Sequence, residues 1–204
     1  MRIILARHGQ TDSNAANRFQ GCLDIPLNAK GLRQARLLAG LLARYQPQKL
    51  YTSDLTRSKE TAQPAAKLLQ LVPVADPVFR EYSWGILEGL TWDEARDRYP
   101  QHFSGERPPL HLLRVPGQEP REHFHRRVQE GLAMLLAEAS LPAVALIGHG
   151  HYLNGLLVEF LGLDFNGPWP FSFASAAVTV LEVKKGRRRL LCFNDMCHLG
   201  EKNA

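Results

Sequence analysis

The chain has 204 residues, 45% hydrophobic and 22% charged, which is enough apolar material for one sizeable core and argues against a largely disordered protein. No window approaches the roughly 20 apolar residues that span a bilayer, and the opening run Ile3-Ile4-Leu5 is shorter than a secretory signal requires. The formal charge of +5 suits an anionic partner, either a phosphorylated small molecule or nucleic acid, without choosing between them.

Three cysteines, Cys22, Cys192 and Cys197, are too few for a disulfide framework and odd in number, so they read as structural thiols in a reducing compartment. The expectation is a soluble cytoplasmic protein with a single domain over 1–204. In chain order, Ile3 to Ala6 reads as a short buried strand, and Asn28 as the N-cap of a helix from Ala29 to Arg44. That helix turns Leu32, Ala35, Leu38, Ala39 and Leu42 inward. Lys49 to Thr52 is a second strand, followed by a helix capped by Asp54 with Thr61, Ala62, Ala65, Leu68 and Leu69 on its inner face. Pro73 to Phe79 makes a third strand.

Thr91 to Tyr99 has the spacing of a short helix, and Gly105 to Glu119, rich in Pro and Gly, predicts an irregular lid within the 91–121 region. Arg121 to Ala139 is helical through Phe124, Val128, Leu132 and Leu135; Ala143 to Ile147 is the most apolar strand, and His151 to Leu161 a helix. Ala176 to Val183 and Arg189 to Phe193 form an antiparallel pair. The basic run Lys184, Lys185, Arg187, Arg188 and Arg189 lies at their turn, where it reads as a solvated hairpin tip, and no interleaved aromatics favour nucleic acid. The alternation of apolar runs and helices predicts an α/β fold: a three-layer α/β/α sandwich around a mostly parallel sheet, with a small helical and loop lid.

Several strands run into chemically capable residues. Ile3 to Ala6 leads into Arg7-His8-Gly9, Val144 to Ile147 into Gly148-His149-Gly150, Val78-Phe79 into Arg80-Glu81, and the strand through Tyr51 past Ser53 to Arg57. In an open parallel sheet the ligand crevice lies outside the carboxyl ends of the strands, so these groups converge if their strands are neighbours. Together they suit phosphoryl transfer. A neutral imidazole attacks phosphorus, arginines bind the phosphate oxygens, and a carboxylic acid, Glu81, protonates the leaving oxygen before deprotonating the attacking water. Cationic surroundings both favour neutral His8 and stabilise the charge of the transferring group. Neither a metal nor another cofactor is called for: His123 and His125 straddle Phe124 on a helix, where i and i+2 side chains do not share a face.

Arg7-His8-Gly9-Gln10-Thr11 with Asn14, then Gln20-Gly21 and Pro26-Leu27 ahead of Gly31 and Ala35, resembles the opening signature of the histidine phosphatase superfamily, the phosphoglycerate mutase-like fold. Ser53 to Arg57 with Thr61-Ala62, Glu81 with Gly85, Glu88 and Gly89, Gly148-His149-Gly150, and Asn194-Asp195 with His198-Leu199 resemble its later blocks in order, so the resemblance spans nearly the whole chain. It implies that His8 carries the phosphoryl group, that Arg7, Arg57 and His149 bind the phosphoryl oxygens, and that Glu81 is the proton donor. Asn14, Gln20, Gly21 and Gly150 are implied to line the phosphate pocket, although Asn14 also fits a simple cap. Glu88 reads better as a solvated loop carboxylate than as a catalytic one. Tyr82 and Trp84 read either as an apolar wall beside Glu81 or as core aromatics.

The chain departs from the pattern at Cys22, Leu87 and His151, and at Asn154, where relatives often have arginine. His151 reads as a substrate contact or as a cap of the following helix. The short interval between Glu81 and His149 implies the small phosphatase branch, whose members act on phosphoglycerates, sugar phosphates, α-ribazole phosphate or phosphoserine. The expected partner is therefore a small phosphorylated substrate, with neither nucleic acid nor membrane and an open oligomeric state. The alternatives are a phosphoglycerate mutase-type transferase and a non-catalytic phosphate-binding regulator.

Overall fold

The computed structural model describes residues 1–103 and 113–200. In chain order the elements are β1 (Arg2–Arg7), α1 (Asp12–Ala15), α2 (Ala29–Tyr45), β2 (Lys49–Thr52), α3 (Thr56–Leu69), β3 (Val74–Ala75), α4 (Trp92–Arg98), α5 (Arg121–Ala137), β4 (Ala143–Gly148), α6 (Gly150–Leu161), β5 (Val178–Lys184) and β6 (Arg187–Asp195). They build one six-stranded sheet in the order β3-β2-β4-β1-β5-β6. The pairings β3·β2, β2·β4 and β4·β1 are parallel, and β1·β5 and β5·β6 are antiparallel. The expected α/β sandwich is thus the observed architecture, and its sheet is mixed: the four strands β3, β2, β4 and β1 are parallel and β5 and β6 add an antiparallel edge.

The two-residue alternation of the central strands divides the interior. Ile3 and Leu5 of β1, with Val144 and Leu146 of β4, face one core together with Phe124, Val128 and Leu132 of α5 and Leu153 and Leu156 of α6. Ile4, Ala6, Ala145 and Ile147 face the other, against Leu38 and Leu42 of α2 and Ala62 and Ala65 of α3. Both strands are buried on both faces, which explains their unbroken apolar composition. Among the described residues no helix is long and apolar enough to cross a membrane.

Four local expectations are corrected. Leu32 and Leu68 are exposed, at 41% and 57%, because they lie at the edges of their helical stripes rather than at the centre. Asp54 does not cap α3; it pairs with Arg80 (Nη2 to Oδ2, 2.6 Å), and the free amide of Thr56 instead donates to Asp24 Oδ1 at 2.6 Å. The third strand is only Val74–Ala75, since Pro77 starts a 3₁₀ turn through Phe79 that Asp76 caps by accepting from the amide of Val78. Proline has no N–H to continue the ladder. Asn28 caps α2 as expected, accepting from Gly31 N at 2.9 Å.

In the lid region, α4 forms under a capping box of Thr91 and Glu94, and Arg18 ties it to the β1 side of the molecule through Glu94. The part of the expected lid at 104–112 lies outside the described residues.

Candidate active site

The β1·β4 register decides the site. Arg7 stands opposite Gly148, so the residues that come after each strand, His8 and His149, leave the sheet side by side, and the amide of His8 donates to the carbonyl of Gly148 at 2.9 Å. Their ring centroids are 5.2 Å apart and both residues are buried. β2 ends beside β4 at Thr52, and the first turn of α3 then carries Arg57 into the same space, where it is 0% exposed. Glu81 arrives from the far side, after the 3₁₀ turn beyond β3.

The His8 tautomer is set by its partner. Nδ1 lies 2.7 Å from the carbonyl oxygen of Gly9, which can only accept, so Nδ1 carries the proton and Nε2 keeps its lone pair. Burial, then the charges of Arg57 and Arg7, push the His8 pKa well below the ordinary imidazole range. The same causes, burial first and then Arg57, His8 and Arg7, hold His149 well below that range. Both rings are therefore neutral at pH 7.

Each arginine is anchored through its terminal nitrogens. Arg57 donates to the carbonyls of Leu23 (Nη1, 2.6 Å) and Gly21 (Nη2, 2.7 Å), and Arg7 Nη1 donates to the carbonyl of Phe173 at 2.6 Å. The Nε atoms of both, and both ring nitrogens of His149, are buried without a hydrogen-bond partner in the protein. Unsatisfied buried polar atoms are uncommon and costly, and these belong to three side chains around one histidine. Burial lowers the pKa of both guanidinium groups, while the charge of Glu81 opposes that shift.

Glu81 sits at the N-terminus of α6. Its Oε1 accepts from the amides of Tyr82 (2.8 Å) and Tyr152 (3.0 Å), and Oε2 accepts from that of His151 (3.1 Å). Two of these donors are amides of the first helical turn that have no partner within the helix, so the acid and the helix end satisfy each other. Trp84 lines the cavity beside Glu81 and meets the ring of His151 edge-on at 4.9 Å. Tyr82 instead turns into the core, where its hydroxyl donates to the carbonyl of Glu119.

The cavity, about 430 Å³, is lined by Arg7, His8, Asn14, Gln20, Gly21, Arg57 and Glu81, and also by Trp84, Trp92 and His151. Gly150 lines an adjoining cavity instead, where a built Cβ would lie 3.5 Å from Arg7 Nε. Asn14 fills both of its readings: it lines the cavity and closes the capping box of α1 with Thr11. Gln20 Oε1 accepts from the Thr11 hydroxyl at 2.8 Å. His149 is not among the lining residues; it is fully buried, with its ring 5.2 Å from that of His8.

Glu88 is not the solvated loop carboxylate expected. Its Oε1 accepts from the amides of Cys22 and Trp84 and from the Ser83 hydroxyl, clamping the Gly21 loop onto the Glu81 loop. Gly21 is required at this closeness: its φ is +51°, and a Cβ would stand 2.0 Å from Glu88 Oε1. His125 Nε2 contacts Glu159 at 2.7 Å and its ring stacks on Phe165, and among the described residues no group of three or more His, Cys, Asp or Glu is placed to hold a metal ion. Sequence reasoning missed Trp169 and Phe171, which line the adjoining cavity from a long loop whose position depends wholly on tertiary contacts.

The model of the histidine phosphatase superfamily (branch 1) matches residues 3–196. Phosphoserine phosphatase 1 of Hydrogenobacter thermophilus is 28% identical over 201 residues, covering 98% of this chain and 95% of that protein. A metal-independent phosphoserine phosphatase of Arabidopsis thaliana is 30% identical over 200 residues, covering 97% of this chain and 82% of the relative. Among solved structures, a mycobacterial glucosyl-3-phosphoglycerate phosphatase in complex with VO3 superimposes with a TM-score of 0.85 at 30% identity, covering 96% of this chain and 99% of the other. The chain belongs to the histidine phosphatase superfamily, branch 1, and is an enzyme of the phosphatase class.

Proposed function

We propose that the protein hydrolyses a phosphomonoester of a small metabolite, without a metal, through a phosphohistidine on His8. The observation that carries this reading is the arrangement around His8 Nε2. The Gly9 carbonyl commits Nδ1 as donor, Arg7 and Arg57 line the same cavity as His8, the His149 ring lies 5.2 Å away, and all three of these side chains carry buried nitrogens without a partner in the protein. Donors held in place by the surrounding fold suit the equatorial oxygens of a transferring phosphoryl group, and they need not reorganise as its charge develops.

In the first half-reaction Nε2 attacks phosphorus, the P–O bond to the alcohol breaks, and Glu81 gives its proton to the departing oxygen. Oε2 of Glu81 is the oxygen suited to carry that proton, because Oε1 already accepts two amides whereas Oε2 accepts one. In the second half-reaction the Glu81 carboxylate takes a proton from water, the resulting hydroxide attacks phosphorus, and the P–N bond breaks to return neutral His8 and release phosphate. Arg7 and Arg57 supply the positive charge that a metal provides in other phosphatases. Asn14, Gln20 and Gly21 complete the wall of the phosphoryl pocket, and Gly150 lies beside Arg7 in the adjoining cavity.

The test is phosphate release from p-nitrophenyl phosphate and a panel of metabolite monoesters in EDTA, with acid quenching to trap a labelled enzyme. Turnover that persists in EDTA, with an acid-labile label absent from His8→Ala, is the expected outcome. Wild-type turnover in His8→Ala, or loss of activity in EDTA, refutes the proposal.

A further inference from the structure

A second cavity of about 510 Å³ lies beside the phosphoryl cavity, and the two share Arg7, Glu81 and His151 in their linings. The second cavity differs in chemistry. Pro168, Trp169, Phe171 and Phe173 give it an apolar, largely aromatic side, and its only charged side chains among the described residues are the shared Arg7 and Glu81. Apart from His151, Asn154 and Ser172 are its uncharged polar side chains; Asn154 Nδ2 donates to the carbonyls of Phe171 and Trp169, holding the aromatic loop in place, while its Oδ1 is buried without a hydrogen-bond partner. The ring of His151 continues the aromatic surface from Trp84, at 4.9 Å, to Trp169, at 5.9 Å.

Glu81 stands at the junction of the two cavities. Under the hydrolytic mechanism proposed for His8 and Glu81, on which this subsite rests, the leaving oxygen must lie opposite His8 and against the acid that protonates it. The alcohol attached to that oxygen then extends from Glu81 into the second cavity. We propose that this cavity is the leaving-group subsite, selecting monoesters of uncharged alcohols with a flat, apolar body over small alcohols bearing an amine or carboxylate. A volume of about 510 Å³ is several times that of a serine side chain, and beyond Arg7 and Glu81 the described lining holds no carboxylate, ammonium or guanidinium to pair with a substrate charge. Trp169 and Phe171 offer faces for stacking and apolar burial instead.

The test separates this subsite from the chemistry. Benzyl phosphate, ethyl phosphate and O-phosphoserine all have alkyl oxygens as leaving groups, so their kcat/KM values compare the subsite rather than leaving-group activation. Benzylphosphonate and ethylphosphonate, whose C–P bond is not hydrolysed, report the same contrast as inhibition or calorimetric Kd values without turnover. Benzyl phosphate is expected to exceed each of the other two esters by at least tenfold in kcat/KM, and benzylphosphonate to bind at least tenfold tighter than its ethyl counterpart. In Trp169→Ala, and independently in Phe171→Ala, the benzyl-to-ethyl ratio falls toward about threefold or less. Preference for O-phosphoserine, a benzyl-to-ethyl ratio near one in both assays, or a ratio unmoved in both folded variants overturns the proposal. A phosphonate preference without hydrolysis of any ester would leave the subsite standing and refute the hydrolytic mechanism alone.

Discussion

Replacing Gly31 by alanine is expected to destabilise the protein even though alanine is the better helix former. Gly31 lies in the first turn of α2, against the loop after His8, and a Cβ there would stand 2.1 Å from the carbonyl oxygen of Gln10 and 2.9 Å from its amide nitrogen. The closer of these is more than an ångström inside ordinary contact, which begins at roughly 3.5 Å. Both obstructing atoms are backbone, so no rotamer change relieves the clash. The opposing surface is equally closed, because a Cβ on Gly9 would meet the Gly31 carbonyl at 2.6 Å. Overpacking of this kind costs about 1–3 kcal/mol, which lowers Tm by roughly 2–12 °C in a chain of this size. Gly40, exposed on the same helix with nothing within 4 Å of its built Cβ, is the control. There the helix propensity acts alone, and Gly40→Ala is expected to add about 0.8–1 kcal/mol. Calorimetric or denaturant unfolding of both variants, with kcat on p-nitrophenyl phosphate, checks the pair. The Gly31 variant should also lose turnover, since the displaced loop carries the Gly9 carbonyl that orients His8. Equal stabilisation by both substitutions would refute the backbone-contact argument.

Other expectations concern the electrostatics and the loop clamp. Because the native pKa values of His8 and His149 lie well below that of a free imidazole, the unfolded chain binds protons first as pH falls. The stability these neutral rings confer is complete above about pH 6.5 and is lost below it, at a rate approaching 1.4 kcal/mol per pH unit for each ring until its native pKa is reached. Urea unfolding between pH 7 and 5 should show this slope, reduced in His8→Asn; an unchanged slope in that variant would count against it. Glu88→Ala removes three hydrogen bonds that join the Gly21 and Glu81 loops, and should cost about 2–3 kcal/mol and raise KM. Glu88→Gln, which keeps an acceptor oxygen, should recover most of both, and equal losses in the two variants would argue against the clamp. Arg57→Lys should lower kcat/KM by 100-fold or more, because an ammonium cannot hold two carbonyls and still present a third donor from the same plane; steady-state kinetics with intact Tm is the check.

Much of the architecture is legible in the sequence because its local signals agree. The apolar runs of β1 and β4, the Asn28 cap and the apolar stripe of α5 each satisfy composition and period together, and each forms where expected. Pro73 to Phe79 is not one strand, because Pro77 and the Asp76 cap outweigh the apolar residues around them. Asp54 is not a cap, because a partner distant in sequence, Arg80, holds its carboxylate, while Asp24 takes the amide it was expected to serve. Glu88 departs from expectation for a related reason: its three donors come from two loops, and no periodicity links Cys22 to Ser83 and Trp84.

The sequence by itself determined which residue types come after which strands: Arg7-His8-Gly9 after one buried run, His149 after another, Arg57 in the first turn of a helix. Strand ends and helix starts are local properties, set by side-chain pattern and backbone propensity. The tertiary structure alone decided that β1 and β4 are neighbours with Arg7 opposite Gly148, since pairing register depends on how both faces of the sheet are covered. That one register brings the two imidazoles to 5.2 Å. Tertiary packing likewise leaves nitrogens of Arg7, Arg57 and His149 buried without a hydrogen-bond partner in the protein. The aromatic second cavity is equally a tertiary product, because Trp169 and Glu81 are far apart in the chain and meet across it only through packing.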